Sequence, residues 1–177
     1  MKRASKLLRV ASGTGSLIML TACAGLRDVD HKWCPPEAEP EPVAVRESIN
    51  LSADALFAFD RSGVSDMLPQ GRTELDRLIT KVNTDYERVE TIQLVGHTDR
   101  LGAQAYNQQL SQHRANTVMH YLQSKGVTTN MTATGAGESQ PVSKNCVGEK
   151  ATAELIACLQ PDRRVEVIIQ GVAAPRP

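Results

Sequence analysis

The chain has 177 residues, enough for one domain of ordinary size together with shorter segments. Aromatic residues make up only 3% of the sequence, so aliphatic side chains must form most of the core. The 20 basic residues balance the 20 acidic ones, and no basic run contains interleaved aromatic residues. The sequence therefore lacks the usual pattern of a nucleic-acid-binding protein, and we expect no nucleic-acid partner.

The first 22 residues have the pattern of a signal peptide for export. The basic start contains no acidic residue, and the mostly apolar segment 10–20 is too short to span a bilayer. Residues 20–23, "LTAC", resemble the lipobox of bacterial lipoproteins and predict a lipid on Cys23. Cleavage after Ala24 is the alternative, because Ala22 and Ala24 also form a small-x-small site. Either route delivers the chain to the periplasm, where disulfides form.

Residues 23–48 are predicted to form an extended tether. The stretch "PPEAEPEPVAVRE" is rich in Pro and Glu and has few side chains to bury. Cys34 lies in this segment without a neighbouring cysteine. We therefore expect it to be a free thiol or to join two copies of the chain as a homodimer.

From Ile49 the pattern becomes globular, which predicts a domain over residues 49–172 and a tail at 173–177. Hydrophobic periodicity predicts strands at 55–60, 89–96, 130–135 and 165–171, a helix at 69–84, and a second helix that ends at Ser124. Gly126 is predicted to stop the second helix in a left-handed conformation. The order βαβαββ predicts one α/β layered domain in which a pair of helices covers a sheet.

Two cysteines enclose an eleven-residue insertion before the last predicted strand. In an oxidising compartment, Cys146 and Cys158 most simply pair with each other. A loop of this length predicts a stabilisation of roughly 2–3 kcal/mol. Two free thiols or half of a metal site are the alternatives, but no His or second Cys pair lies at zinc-like spacing, and we expect no metal.

The stretch "GHTDRLGAQAYNQQLSQHRANTV", residues 96–118, contains an acid and a base that can converge. Asp99 follows a predicted strand, and ligands of α/β sheets gather at the carboxyl ends of strands. Ser111 can cap the next helix, which would place Arg114 in its first turn. Such a pair suits a zwitterion, because Arg binds a carboxylate through two hydrogen bonds and Asp binds an ammonium group. The alternative is an Asp99–Arg114 salt bridge that ties loop to helix.

The longer stretch "GHTDRLGAQAYNQQLSQHRANTVMHYLQSKGV" resembles the signature of the OmpA-like peptidoglycan-binding domain found in OmpA C-terminal domains, Pal lipoproteins and MotB stators. "LFAFD", "GAGESQPV" and "DRRVEVII" extend the resemblance over about residues 50–171, and the Cys insertion resembles that of enterobacterial-type OmpA proteins. The resemblance implies a βαβαββ domain whose helices pack on a mixed four-stranded sheet. Because a tether precedes the domain, the architecture resembles Pal-type lipoproteins or the short OmpA-like proteins that accompany porins.

The resemblance also implies a ligand. Domains of this family bind the cell wall non-covalently through the diaminopimelate residue of the stem peptide, without a cofactor, at the periplasmic face of the outer membrane. The positions that match the family's binding motifs are Asp99, Arg114, Asn107, Thr98, Asp60, and one of Arg163 and Arg164. Asp162 replaces the Asn that precedes the two arginines in the family motif.

Three other functions compete with cell-wall binding. His97, His113 and His120 could indicate an enzyme, but no Ser or Cys nucleophile lies in an activating motif and no HExxH occurs, so we expect none. A flagellar stator would need a membrane helix with a proton-relay carboxylate, and no apolar run after residue 22 is long enough. An interaction protein, whose tether binds a porin or another envelope protein, is compatible with cell-wall binding.

Overall fold

The computed structural model describes residues 42–175. The predicted signal peptide, the lipidation of Cys23, the state of Cys34 and most of the tether lie outside these residues. Among residues 42–175, no helix combines the length and the hydrophobicity that a membrane span requires.

The described residues form four strands and four helices, joined by turns of 3-10 helix and by loops. The strands are β1 (Ala44–Ser52), β2 (Tyr86–His97), β3 (Asn130–Gly137) and β4 (Arg164–Ala173). The helices are α1 (Ala53–Leu56), α2 (Pro69–Asp85), α3 (Gln104–Ser124) and α4 (Ala153–Cys158).

The four strands form one mixed sheet in the order β1-β4-β2-β3. The central strand β4 is antiparallel to both β1 and β2, whereas β3 is parallel to β2. A parallel pair needs a long crossover, and α3 supplies it between β2 and β3. The α/β layered fold with a mixed four-stranded sheet agrees with the predicted class.

The first strand lies upstream of its predicted position. β1 spans Ala44–Ser52, so residues 44–48 belong to the sheet rather than to the tether, and the domain begins before Ile49. Residues 55–60 form no regular strand, because Leu56 and Phe57 are both buried and Phe59 is exposed. Residues 53–56 instead form the short helix α1, which buries Ala53 and Leu56.

The third helix begins earlier than its predicted cap. α3 starts at Gln104, so Ser111 lies in its interior and Arg114 lies near its middle rather than in its first turn. Ser111 is fully buried, and its hydroxyl accepts a hydrogen bond from the Gly137 amide at 3.0 Å. The first two turns of α3 are polar in sequence, so hydrophobic periodicity did not predict that one face of them is buried. That face contacts the backbone of the sheet rather than apolar side chains.

The hydrophobic core lies between one face of the sheet and the helices α2 and α3. It is formed mainly by aliphatic side chains, as the small aromatic content predicted. The central members are Ile92 and Leu94 of β2, Val165, Val167 and Ile169 of β4, Leu75 and Leu78 of α2, and Val118 and Leu122 of α3.

Helix α3 packs directly on the backbone at the carboxyl ends of β2 and β3. A Cβ added at Gly96 would collide with the backbone of Ser111, and one added at Gly135 would lie 2.6 Å from the Gln112 amide nitrogen. Glycine at these positions therefore allows the closest approach of helix to sheet. This packing places the middle of α3, with Arg114, beside the end of β2.

Candidate ligand-binding site

A cavity of about 550 Å³ opens beside the end of β2. Its walls come from α1, the loop at residues 57–60, the loop after β2, α3 and the disulfide-bonded insertion that contains α4. Asp99 and Arg114 both line it. The structure thus brings the two residues, fifteen positions apart in sequence, to one ligand-sized space.

Asp99 follows the end of β2, where the pairing with β3 shifts register between Gly96 and His97. Its carboxylate is largely buried and accepts two hydrogen bonds: Oδ1 from the Leu101 amide at 2.9 Å and Oδ2 from Arg163 Nη1 at 2.8 Å. Each oxygen retains a lone pair, because a carboxylate accepts about four hydrogen bonds. Asp99 can therefore accept a further donor from the cavity.

Arg163 is the arginine of the pair that lines the cavity. Its Nη2 donates to Asp54 Oδ2 at 2.7 Å, and its Nη1 donates to both Asp99 and the Ile156 carbonyl, the latter at 3.0 Å. Hydrogen bonds to Asp54 and then to Asp99 raise the pKa of Arg163, although burial opposes them. Its donors are therefore mostly occupied, and it holds Asp99 in place.

Arg114 is only 4% exposed. Its Nε donates to the Arg61 carbonyl at 3.0 Å, and its guanidinium carbon lies 5.8 Å from the ring centre of Phe57. Burial lowers the pKa of Arg114, and the charges of Asp54 and Asp60 oppose that effect.

Within residues 42–175, Arg114 forms no salt bridge; the partner of Asp99 is Arg163. The alternative of an internal Asp99–Arg114 pair is therefore excluded in this structure. The two Nη groups of Arg114 have no hydrogen bond to a described residue and remain available to a ligand in the cavity.

Asn107 organises the loop that carries Asp99. Its buried amide donates to the Asp99 carbonyl at 3.2 Å, to the Leu101 carbonyl at 3.3 Å and to Glu138 Oε2 at 2.7 Å. Thr98 lines the same cavity, and its buried hydroxyl has no hydrogen-bond partner among the described residues. Both predicted positions are thus at the site, with Asn107 occupied by protein contacts.

Arg164 points away from the cavity. It donates to the Asp162 carbonyl at 3.4 Å and to the Gln140 carbonyl at 3.2 Å. The carboxylate of Asp162 accepts hydrogen bonds from Ser143 Oγ at 2.6 Å and from the Val142 and Ser143 amides at 2.6 and 2.7 Å. Asp162 therefore fastens the segment before the insertion, a role that a carboxylate with three donors around it fills well.

The Cys146–Cys158 disulfide is present, with the two Cα atoms 5.7 Å apart. It closes the insertion that contributes Ala151 and Ile156 to the cavity wall. Arg100 Nη2 holds this insertion by donating to the carbonyls of Cys146 at 2.8 Å and Gly148 at 2.9 Å. The sequence predicted the disulfide but gave no sign that the insertion forms part of the site.

Asp54 and Ile156 are cavity residues that the sequence analysis did not predict. Asp54 was missed because residues 55–60 were interpreted as a strand, which gave no reason to place the preceding acid near the cavity. Ile156 was missed because its contribution depends on the folded position of the insertion, in which its carbonyl accepts a hydrogen bond from Arg163. Within the part of the chain that the structure describes, no three His, Cys, Asp or Glu side chains are grouped to hold a metal ion.

A known family model covers this site. The OmpA family model matches residues 56–171, which include Asp99, Arg114 and Arg163. The chain belongs to the OmpA family. The predicted resemblance to OmpA-like domains is confirmed.

Relatives of the OmpA-family chain include outer membrane protein A of Shimwellia blattae, which is 44% identical over 124 residues, or 69% of this chain and 50% of the relative. The chain spans about half the length of the curated relatives it matches, or less. Among solved structures, the cell wall anchor of the T6SS from Pseudomonas aeruginosa matches with a TM-score of 0.55 and 25% identity, over 73% of this chain and 82% of that chain. The peptidoglycan-associated lipoprotein from Burkholderia pseudomallei matches with a TM-score of 0.51 and 26% identity, over 66% of this chain and 88% of that chain. These matches confirm the predicted fold class.

His97 of this OmpA-family domain is fully buried beside the site but does not line the cavity. Neither ring nitrogen has a hydrogen-bond partner among the described residues, and Nε2 lies 3.7 Å from Glu166 Oε2. Burial and the neighbouring charge of Arg164 lower the pKa of His97, whereas Glu166 and Asp162 oppose this effect. His97 is therefore a neutral packing residue at neutral pH.

We expect the domain to lose stability in mild acid, in part through His97. Because its pKa is lower in the folded than in the unfolded state, protonation favours the unfolded chain. The loss is absent well above the ordinary His pKa of about 6.5 and grows as the pH falls through that value. Denaturant titrations of wild type and His97→Asn between about pH 8 and about pH 5 should show a steeper loss in wild type. Parallel pH profiles would contradict this role.

Proposed function

We propose that this domain binds peptidoglycan non-covalently by gripping the free amino-acid end of diaminopimelate in the stem peptide. The observation that carries the proposal is Arg114, a buried guanidinium without a carboxylate partner among the described residues, in a cavity that it shares with Asp99. A buried charge of this kind needs a partner, and the ligand would supply it.

The chemistry of diaminopimelate suits the two side chains. Its free end carries an amine and a carboxylate on one carbon. The two Nη groups of Arg114 would donate parallel hydrogen bonds to the carboxylate, and Asp99 would accept from the ammonium group. Arg163 would not compete for the carboxylate, because its donors are engaged by Asp54, Asp99 and Ile156. The likeness to a cell wall anchor and to a peptidoglycan-associated lipoprotein supports this assignment.

In the envelope, we infer that the protein ties the outer membrane to the cell wall from the periplasmic side. The curated relatives named outer membrane protein A support this location. Acylated Cys23 would provide the membrane anchor, and the tether would bridge the distance to the wall-binding domain. Contacts of the tether with a porin or another envelope protein, and a Cys34-linked homodimer, could accompany this role. Nothing in this mechanism requires an enzymatic step.

Mass spectrometry of the mature protein extracted from membranes tests the anchor. We expect a chain that begins at Cys23 and carries additional acyl mass. An unmodified chain that begins at Gly25 would contradict acylation and would leave the domain's ligand unchanged.

Ligand discrimination tests the wall-binding site. Isothermal titration should detect binding of a stem tetrapeptide with meso-diaminopimelate at its third position, whereas the same peptide with lysine there should bind about 100-fold more weakly or not at all, because the lysine side chain has no carboxylate and leaves Arg114 unpaired. Arg114→Ala should reduce diaminopimelate affinity by about 100-fold or more and should abolish pelleting with sacculi.

The matched control is Arg88→Ala, which removes an exposed arginine from the opposite end of β2. This variant should bind as wild type does, and circular dichroism should show that both variants remain folded. Equal affinity for the diaminopimelate and lysine peptides, or an Arg114→Ala variant that binds normally, would exclude the proposed site.

A further inference from the structure

The loop of residues 57–62, at the mouth of the cavity, is fixed to α3 by three side-chain hydrogen bonds. These bonds join Arg114 Nε to the Arg61 carbonyl at 3.0 Å, Thr117 Oγ1 to the Ser62 carbonyl at 2.6 Å, and Tyr106 Oη to Asp60 Oδ1 at 2.5 Å. Each bond uses a different turn of α3. The loop is therefore a positioned element of the site rather than a freely moving connection.

The same loop gives its two phenylalanines opposite environments. Phe57 is buried beneath Arg114, whereas Phe59 is 94% exposed. The next residue after Phe59, Asp60, adopts a left-handed backbone conformation with φ of +58°. Non-glycine residues rarely adopt this conformation, and it occurs where the surrounding contacts enforce it, often at ligand sites. The loop is thus held in a shape that presents an aromatic ring to solvent.

Phe59 and Tyr106 both line the cavity and both reach solvent, Tyr106 with 47% of its surface exposed. We call these two side chains the aromatic lip. Aromatic residues are rare in this chain, at 3% of the sequence, so two of them at one opening is a notable concentration. The fixed loop holds the Phe59 ring almost wholly in water at the edge of the cavity, where packing on a ligand would bury its apolar surface.

The lip is too small for a protein partner. A stable protein interface buries about 800 Å² on each side, several times what two side chains offer. Two exposed aromatic rings at one cavity suit one flat, amphipathic ring of a ligand. A pyranose has an apolar face of C–H groups that packs on an aromatic ring, and hydroxyls at its edge that hydrogen-bond to neighbouring polar groups. Asp60 and the Tyr106 hydroxyl, which line the same cavity, supply such groups.

We propose that the aromatic lip of Phe59 and Tyr106 is a carbohydrate subsite that stacks a sugar ring of the glycan strand whose stem peptide enters the cavity. This inference rests on the proposed function, since the stem peptide brings the sugar to the opening. The cavity floor, with Arg114 and Asp99, recognises the charged end of the ligand, and the lip recognises its neutral end.

Three ligands of increasing size test the subsite by isothermal titration: meso-diaminopimelate, the tripeptide that ends in diaminopimelate, and the same tripeptide attached to the N-acetylglucosamine–N-acetylmuramic acid disaccharide. Wild type should bind the disaccharide form about tenfold more tightly than the tripeptide, a gain typical of one aromatic stacking contact. Phe59→Ala should remove that gain, so that its loss of affinity for the disaccharide form exceeds its loss for diaminopimelate and for the tripeptide by about tenfold.

Two further variants separate stacking from general hydrophobicity. Phe59→Trp should retain the gain because it keeps a flat ring, and Phe59→Leu should lose most of it. Equal affinity of wild type for the tripeptide and its disaccharide form, or an equal loss for all three ligands in Phe59→Ala, would overturn the subsite while leaving the diaminopimelate site intact. Failure of all three ligands to bind wild type would instead overturn the proposed function, and the subsite with it.

Discussion

The site depends on a positive charge that the fold buries without a carboxylate partner. Removing a charged group from water costs several kcal/mol unless other groups compensate. Arg114 receives partial compensation from the Arg61 carbonyl and the Phe57 ring, and the carboxylates of Asp54 and Asp60 act on it only at longer range. The guanidinium thus retains its charge and two unused donor groups. The cavity exists because no side chain of the described domain closes over those donors.

The pairing of Asp99 with Arg163 also keeps the cavity open. Asp99 is the acid that could close onto Arg114, but Arg163 holds it through a 2.8 Å hydrogen bond. Arg163 is held in turn by Asp54 and by the Ile156 carbonyl of the disulfide-closed insertion. The insertion therefore also supports the site, because its Ile156 carbonyl helps to hold the arginine that pairs with Asp99. A zwitterionic ligand can bind between them without first breaking an internal ion pair.

The sequence predicted most of the architecture because the central strands and α2 carry strong hydrophobic periodicity. It misplaced β1 because "ALFAFD" alternates like a strand, whereas Glu47 interrupts the apolar alternation of Val45, Ile49 and Leu51 in the true strand. It misplaced the start of α3 because Ser111 resembles a cap, although it is buried against glycine backbone. Hydrophobic periodicity does not reveal contacts between a helix and backbone. Such contacts, at Gly96 and Gly135, determine how closely α3 approaches the sheet.

The sequence also identified the acid and the base but not how they are held. It could not choose between Arg163 and Arg164, since adjacent residues of a strand point to opposite faces and either face was possible. Asp54 and the insertion enter the site through tertiary contacts over more than forty residues of sequence, which a local pattern cannot record. The sequence therefore predicted the charged pair Asp99 and Arg114, but it did not predict the hydrogen bonds of Asp54, Arg163 and the insertion that position Asp99.

The most direct test is a crystal structure of the protein with bound meso-diaminopimelate. We predict that the free carboxylate of the ligand lies within hydrogen-bonding distance, about 3 Å, of both Nη groups of Arg114, and its ammonium within the same distance of Asp99. Arg163 should stay on Asp54. A ligand bound outside this cavity, or an Arg114 that turns to pair with a carboxylate of the protein while the ligand is present, would contradict the central claim.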